Sequence, residues 1–121
     1  MKTKMTFLPA TKAKRSEKVC IFYDVMDYLA YKSLQKSDFV RLASDCDIII
    51  IADAKNIIHA MIEGDEYQNI YLYLPNDIIG FTIVQTMVQR HGKHAVVCNP
   101  LYKGYANLLE FAKEIERTSH R

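Results

Sequence analysis

Four consecutive isoleucines, Ile48 to Ile51, stand between Asp47 and Asp53. β-branched side chains favour strands. A run that is apolar at every position has no face to offer water, so the strand it forms must be covered on both sides, as in a parallel sheet between helices. Three more short runs share this character: Val19-Cys20-Ile21-Phe22-Tyr23, Asn69 to Leu74, and His94 to Cys98. Each run is followed by apolar residues at helical spacing. These stripes are Met26, Leu29, Ala30 and Leu34; then Ala54, Ile57, Ile58, Met61 and Ile62; then Ile79, Ile83, Val84, Met87 and Val88; then Tyr105, Leu108, Leu109, Ala112 and Ile115. The fourfold strand–helix alternation predicts an α/β fold: a small, Rossmann-like, mainly parallel four-stranded sheet. Its strands lie near 19–23, 47–52, 69–74 and 94–98, with helices on both faces because parallel crossovers are right-handed. Asp24 and Asp53 stand where helix N-caps belong, as does Asn76 or Asp77 for the third helix. Gly64 and Gly92 stand where helices end in a left-handed residue. Residues 36–46 carry the least pattern.

With 121 residues, 50% hydrophobic and 25% charged, the composition is that of one folded domain, which excludes disordered, collagen-like and coiled-coil classes. The longest strictly apolar run, Ile48 to Ala52, is far too short to span a membrane. Cys20, Cys46 and Cys98 are odd in number and widely spaced, which argues against a disulfide framework or a CxxC metal site and for a reducing, cytoplasmic setting. Charge is uneven. Residues 1–18 hold six basic side chains against the single acid Glu17, with no apolar core of signal-peptide length, whereas residues 19–121 hold 10 basic and 13 acidic side chains. The expected organisation is therefore a basic arm, 1–18, ahead of an α/β domain, 19–121. The arm reads either as solvated chain or as a contact to DNA or RNA phosphates through Lys12, Lys14, Arg15 and Lys18, with Lys103 a further candidate on the domain.

Ligands of an open parallel sheet gather at the carboxyl ends of its strands. Here those ends carry Asp24, Asp53 and Asp77. Clustered carboxylates suit Mg²⁺, but each of these also suits a helix cap. No GxxxxGK[ST], GxGxxG or GxSxG motif occurs. His59 reads as exposed, and His91 and His94 sit at a turn around Gly92. Cys20 and Cys98 read as core residues. Tyr28, Tyr31, Tyr71 and Tyr73 suit packing with a hydroxyl at the rim, while Tyr23, Tyr102 and Tyr105 are candidates for stacking on nucleobases.

Three segments, in order, resemble the Toprim domain: Ile21-Phe22-Tyr23-Asp24-Val25-Met26-Asp27-Tyr28-Leu29, Ile70 to Gly80 with its Asn-Asp-x-x-Gly, and Leu101-Tyr102-Lys103-Gly104-Tyr105-Ala106-Asn107-Leu108. The resemblance spans about residues 19 to 112 and is nearest to the branch found in primase-like and mobilisation-associated proteins of Bacteroides-type bacteria. It implies a compact, mainly parallel four-stranded α/β sheet. It also implies a glutamate after the first strand as general acid/base and an Asp-x-Asp after the third strand that holds Mg²⁺. In this chain the glutamate position is Tyr23 and the first aspartate is Pro75. The acidic position of the last motif is Asn107 and the lysine before it Ala106; only Asp77 remains. A phenol titrating near 10 is a poor proton acceptor at neutral pH, and proline offers no side-chain ligand. The resemblance thus implies a degenerate, non-catalytic binding or accessory module of DNA metabolism, with no cofactor and with DNA, RNA or a primase- or relaxase-type protein as partner. The alternatives are a Mg²⁺-dependent nucleotidyl-transfer or nuclease enzyme using Asp24 and Asp77, and an interaction module that keeps only the scaffold.

Overall fold

The computed structural model describes residues 4–11, 14–37 and 42–119. In chain order the strands are β1 (Thr6–Leu8), β2 (Lys18–Phe22), β3 (Asp47–Ile50), β4 (Asn69–Tyr73) and β5 (Ala95–Val97). The helices are α1 (Val25–Leu34), α2 (Ile57–Glu63), α3 (Ile78–His91) and α4 (Leu108–Ser119). All four apolar runs are strands, mutually parallel in the order β3-β2-β4-β5. The sheet nevertheless has five strands, not four. β1 pairs antiparallel with β3 on its outer side, Phe7 opposite Ile49. Three residues are too few for periodicity to show, and the pairing is decided by backbone groups of β3 that would otherwise form an open edge. Part of the basic arm is therefore sheet. Ala10 and Ser16 of the arm are tied down as well, since the buried Asp47 carboxylate accepts Ala10 N at 2.9 Å, Ser16 N at 3.2 Å and the Tyr67 hydroxyl at 2.8 Å.

The all-apolar isoleucine run is explained by the two layers it serves. Ile49 and Ile51 join Val19, Ile21, Ile70 and Leu72 against α2 and α3; Ile48 and Ile50 join Cys20, Phe22 and Tyr73 against α1 and α4. Successive side chains of a strand point to opposite faces, so a strand in a central layer has no polar position. No helix among the described residues is long and apolar enough to cross a membrane.

Several sequence expectations differ in detail: Val96 and Val97 of the edge strand β5 are exposed, as are Ile58 and Ile62 of the α2 stripe and Ile79 and Val88 of the α3 stripe. The buried face of α1 is Asp27, Ala30, Tyr31 and Leu34, while Met26 and Leu29 are exposed. Tyr31 wins the inner position because its hydroxyl donates to Ala43 O and its ring packs edge-on to Phe22 at 5.2 Å. Gly92 closes α3 at φ +55°, in the region that favours glycine, but Gly64 is right-handed at φ −61°. Gly64 answers instead to space, because a Cβ there would lie 2.9 Å from His91 Nε2.

Candidate functional site

The carboxyl edge of the sheet brings Asp24, Asp53 and Asp77 to the starts of helical turns, where each accepts a backbone N–H. Asp24 Oδ1 takes Met26 N at 2.8 Å, Asp53 Oδ1 takes Lys55 N at 3.1 Å, and Asp77 Oδ1 takes Gly80 N at 2.8 Å. Asp53 caps a 3₁₀ turn, Ala54–Asn56, that leads into α2. Of Asn76 and Asp77, it is Asp77 that caps α3. The Asn-Asp-x-x-Gly spacing has a steric origin. The first turn of α3 approaches the end of β4 so closely that a Cβ on Gly80 would stand 1.8 Å from Pro75 O. Ala52, at φ +69°, turns the chain out of β3 toward Asp53, a left-handed conformation that disfavours any residue with a Cβ.

Two positions that depart from the Toprim pattern, Tyr23 and Asn107, make packing or capping contacts. Tyr23 is half-buried against the α2–α3 layer. Asn107 accepts Glu110 N at 2.9 Å and so caps α4. Asp27 is the acidic residue that periodicity alone did not single out. It is 3% exposed and accepts Leu109 N at 3.1 Å, tying α1 to the start of α4. Burial pushes its carboxyl up to about 6, the Leu109 hydrogen bond pulls it back, and the charges of Asp24 and Asp77 add to the rise. Asp27 therefore feels both Asp24 and Asp77. The available signal was the phase of the α1 stripe, in which Asp27, Ala30, Tyr31 and Leu34 fall at i, i+3, i+4 and i+7.

Between α3 and the loop after β5 lies a groove of about 770 Å³, lined chiefly by Phe81, Val84, Val97, Pro100, Lys103 and Tyr105. Beside it a polar network secures that loop. Asn76 Nδ2 donates to Tyr105 O at 2.8 Å and Tyr102 O at 3.3 Å. Asn99 Nδ2 donates to Leu74 O and Asn76 Oδ1, both at 2.8 Å, and the Tyr102 hydroxyl donates to Leu74 O at 2.7 Å. Tyr102 is fully buried, so it is a packing residue and not a stacking platform; its aromatic ring joins the α1–α4 core. Of the three tyrosines considered for stacking, only Tyr105 lines the groove.

Among the described residues the basic candidates fall at two ends of the sheet. Lys14, Arg15 and Lys18 border a cleft of about 740 Å³ near the amino ends of the parallel strands, whereas Lys103 lies by the groove at the opposite end. Arg15 is already partnered, donating to Glu63 Oε1 at 2.7 Å and lying over the Phe7 and Tyr67 rings. Lys12 lies outside the described residues. His59 is exposed, and buried His91 is bonded to Met61 O. Cys20 and Cys46 are buried and Cys98 half-buried, all three free. Burial pushes the Cys20 thiol well up and the Cys98 thiol up to about 11, which suits core residues and not nucleophiles.

No family model matches the chain, and no curated protein matches its sequence. Among solved structures it is similar to the crystal structure of the primase fragment of the bacteriophage T7 primase-helicase protein. The TM-score is 0.61 at 14% identity, over 87% of this chain and 42% of that one. The chain thus spans less than half the length of that fragment. At this identity the likeness is one of fold: an α/β domain built on a mostly parallel sheet.

Proposed function

We propose that the chain is a Toprim-like domain that serves DNA metabolism as a non-catalytic, nucleic-acid-binding accessory module. The observation that carries this reading is the state of Asp77. Its Oδ1 caps α3 on Gly80 N, and its neighbour is Pro75, where the resemblance calls for a second carboxylate. Tyr23 stands where the proton-moving glutamate would be. Among the described residues no group of three His, Cys, Asp or Glu side chains stands close enough to hold a metal ion. The donor set does not fit Mg²⁺, which keeps its water unless carboxylates and phosphates replace it. The fold likeness to a phage primase fragment supports the DNA context. The reading takes a primase- or relaxase-type protein of a mobilisation system as partner and the bacterial cytoplasm as compartment; the free cysteines support the latter.

A second reading, a Mg²⁺-dependent nucleotidyl-transfer or nuclease domain, is favoured by one observation: the charges of Asp24 and Asp77 add to the burial that raises the proton affinity of Asp27. A divalent cation would relieve that repulsion. Calorimetry with Mg²⁺ and Mn²⁺ separates the two readings. The wild type is expected to show no tight site, and the double variant Tyr23→Glu with Pro75→Asp is expected to gain one. A tight site in the wild type, with nuclease or primase activity lost in Asp77→Ala, would establish the second reading instead.

A further inference from the structure

The groove beside α3 plays no part in the carboxylate chemistry above, yet it has the features of a ligand site. Its volume, about 770 Å³, falls in the usual range for small-molecule pockets, and its walls are mostly apolar. Phe81, on one wall, is 55% exposed, and Tyr105 and Val97 line other parts. Asn99 supplies the sharper observation. The residue is 8% exposed and lines the groove. Both hydrogen bonds of its Nδ2, to Leu74 O and Asn76 Oδ1, require the amide to stand one way round. Flipping it would put oxygen against two oxygens. The Oδ1 is thereby fixed, buried, and without a donor among the described residues. An unmet buried acceptor is costly, and native chains leave few of them.

We infer that this groove holds one base of a single-stranded nucleic acid, stacked on Phe81, with its exocyclic amine donating to Asn99 Oδ1 and its phosphate beside Lys103. The inference rests on the nucleic-acid reading above and adds the group recognised. A base matches the site because it is flat, apolar on its faces and polar at its edge, and aromatic walls accept it whatever its sequence context. The oxygen is covered in the free chain, so the amine reaches it only when the groups that cover it move. Its fixed orientation sets a preference. Adenine, cytosine and guanine carry an exocyclic amine, whereas uracil and thymine present a carbonyl, and two facing acceptors repel. A peptide segment would also bring N–H donors, but it gives no reason for an exposed aromatic ring and a lysine on the same groove.

The test uses the full chain and two 5′-fluorescein-labelled octamers, dC8 and dU8, which place an amine or a carbonyl at the same ring position. Fluorescence anisotropy is expected to show dC8 binding about 10-fold tighter than dU8, the ratio for one unmet hydrogen bond. Phe81→Ala, at an exposed position that leaves the core intact, is expected to weaken dC8 about 10-fold through lost stacking, with its fold checked by circular dichroism. Equal, salt-dependent binding of dC8 and dU8 would overturn the groove assignment and leave the nucleic-acid reading standing. So would an unchanged dC8 affinity in Phe81→Ala, the result expected if the groove takes a peptide. No binding of either octamer would overturn both.

Discussion

Replacing Gly80 with alanine tests whether the Asn-Asp-x-x-Gly segment is a packing device. In an ordinary helix this change stabilises by about 1 kcal/mol through propensity. Here the new Cβ would lie 1.8 Å from Pro75 O and 2.7 Å from Pro75 C. Non-bonded carbon contacts settle near 3.5 Å, so the first turn of α3 must retreat by roughly 1.5 Å. Both clashing groups are backbone, and no change of rotamer relieves them. Such overpacking costs toward the upper end of about 1–3 kcal/mol. The retreat also draws Gly80 N away from Asp77 Oδ1, now 2.8 Å distant, and a lost cap adds about 1 kcal/mol. Set against the propensity gain, the net loss is about 3 kcal/mol. For a domain of this size that is a fall of about 12 °C in melting temperature. Thermal unfolding followed by circular dichroism reads it directly. Gly92→Ala is the control, because no atom lies within 4 Å of its Cβ position and only the φ of +55° penalises it, by about 1 kcal/mol. A Gly80→Ala protein that melts at or above the wild-type temperature would refute the close-approach argument.

Further expectations concern charge. The folded Asp27 carboxyl at about 6 lies above its unfolded range, near 3.9. The folded chain thus binds the extra proton, and stability should fall as pH rises from about 4 to 6. Asp27→Asn keeps an acceptor for Leu109 N and should flatten that slope and exceed the wild type at pH 7.5 by about 1–2 kcal/mol in urea unfolding; an unchanged pH profile would count against the buried carboxyl. Asp47→Ala strands the three donors of Ala10, Ser16 and Tyr67 and should cost about 3 kcal/mol, measured by the same unfolding; a loss below 1 kcal/mol would mean that water replaces the carboxylate. Lys14→Gln with Lys18→Gln should lower the salt slope of oligonucleotide binding by about 2 if both touch phosphates, and an unaltered slope would leave them as solvated side chains. These substitutions test the basic segment better than truncation does, because they leave β1 in place.

What the sequence makes legible here follows the range over which its signals act. The isoleucine run declares a strand covered on both faces, and Asp24 and Asp77 declare helix starts, because strand and cap chemistry are local. β1 does not declare itself: three residues show no period, and their pairing depends on a strand almost forty positions later. Asp27 shares the phase of Ala30, Tyr31 and Leu34, but the hydrogen bond that its carboxylate accepts depends on where α4 returns to meet α1, which no spacing within α1 records. Asn99 is still less legible. Its orphaned oxygen has meaning only once the loop after β5 has folded back onto Leu74 and Asn76. The site is therefore read from the sequence as a row of caps, and the fold adds the buried acid and the groove between them.

The antiparallel seat of β1 also orders events during synthesis. β1 leaves the ribosome before β3, its partner, so it must remain unpaired while the intervening residues are made, ~2–8 s at ordinary elongation rates. During that interval β2 and α1 can form, and β3 can then pair with β2 through contacts nearer in sequence. β1 can dock only once β3 has emerged, although it is made first, and it then closes the outer edge of an isoleucine-rich strand. A nascent chain stalled after β3 has emerged but before β1 has docked would expose that edge to neighbouring chains. The lysine-rich segment around β1, charged and repelling its own kind, is then a guard against aggregation at the moment when the sheet is most open.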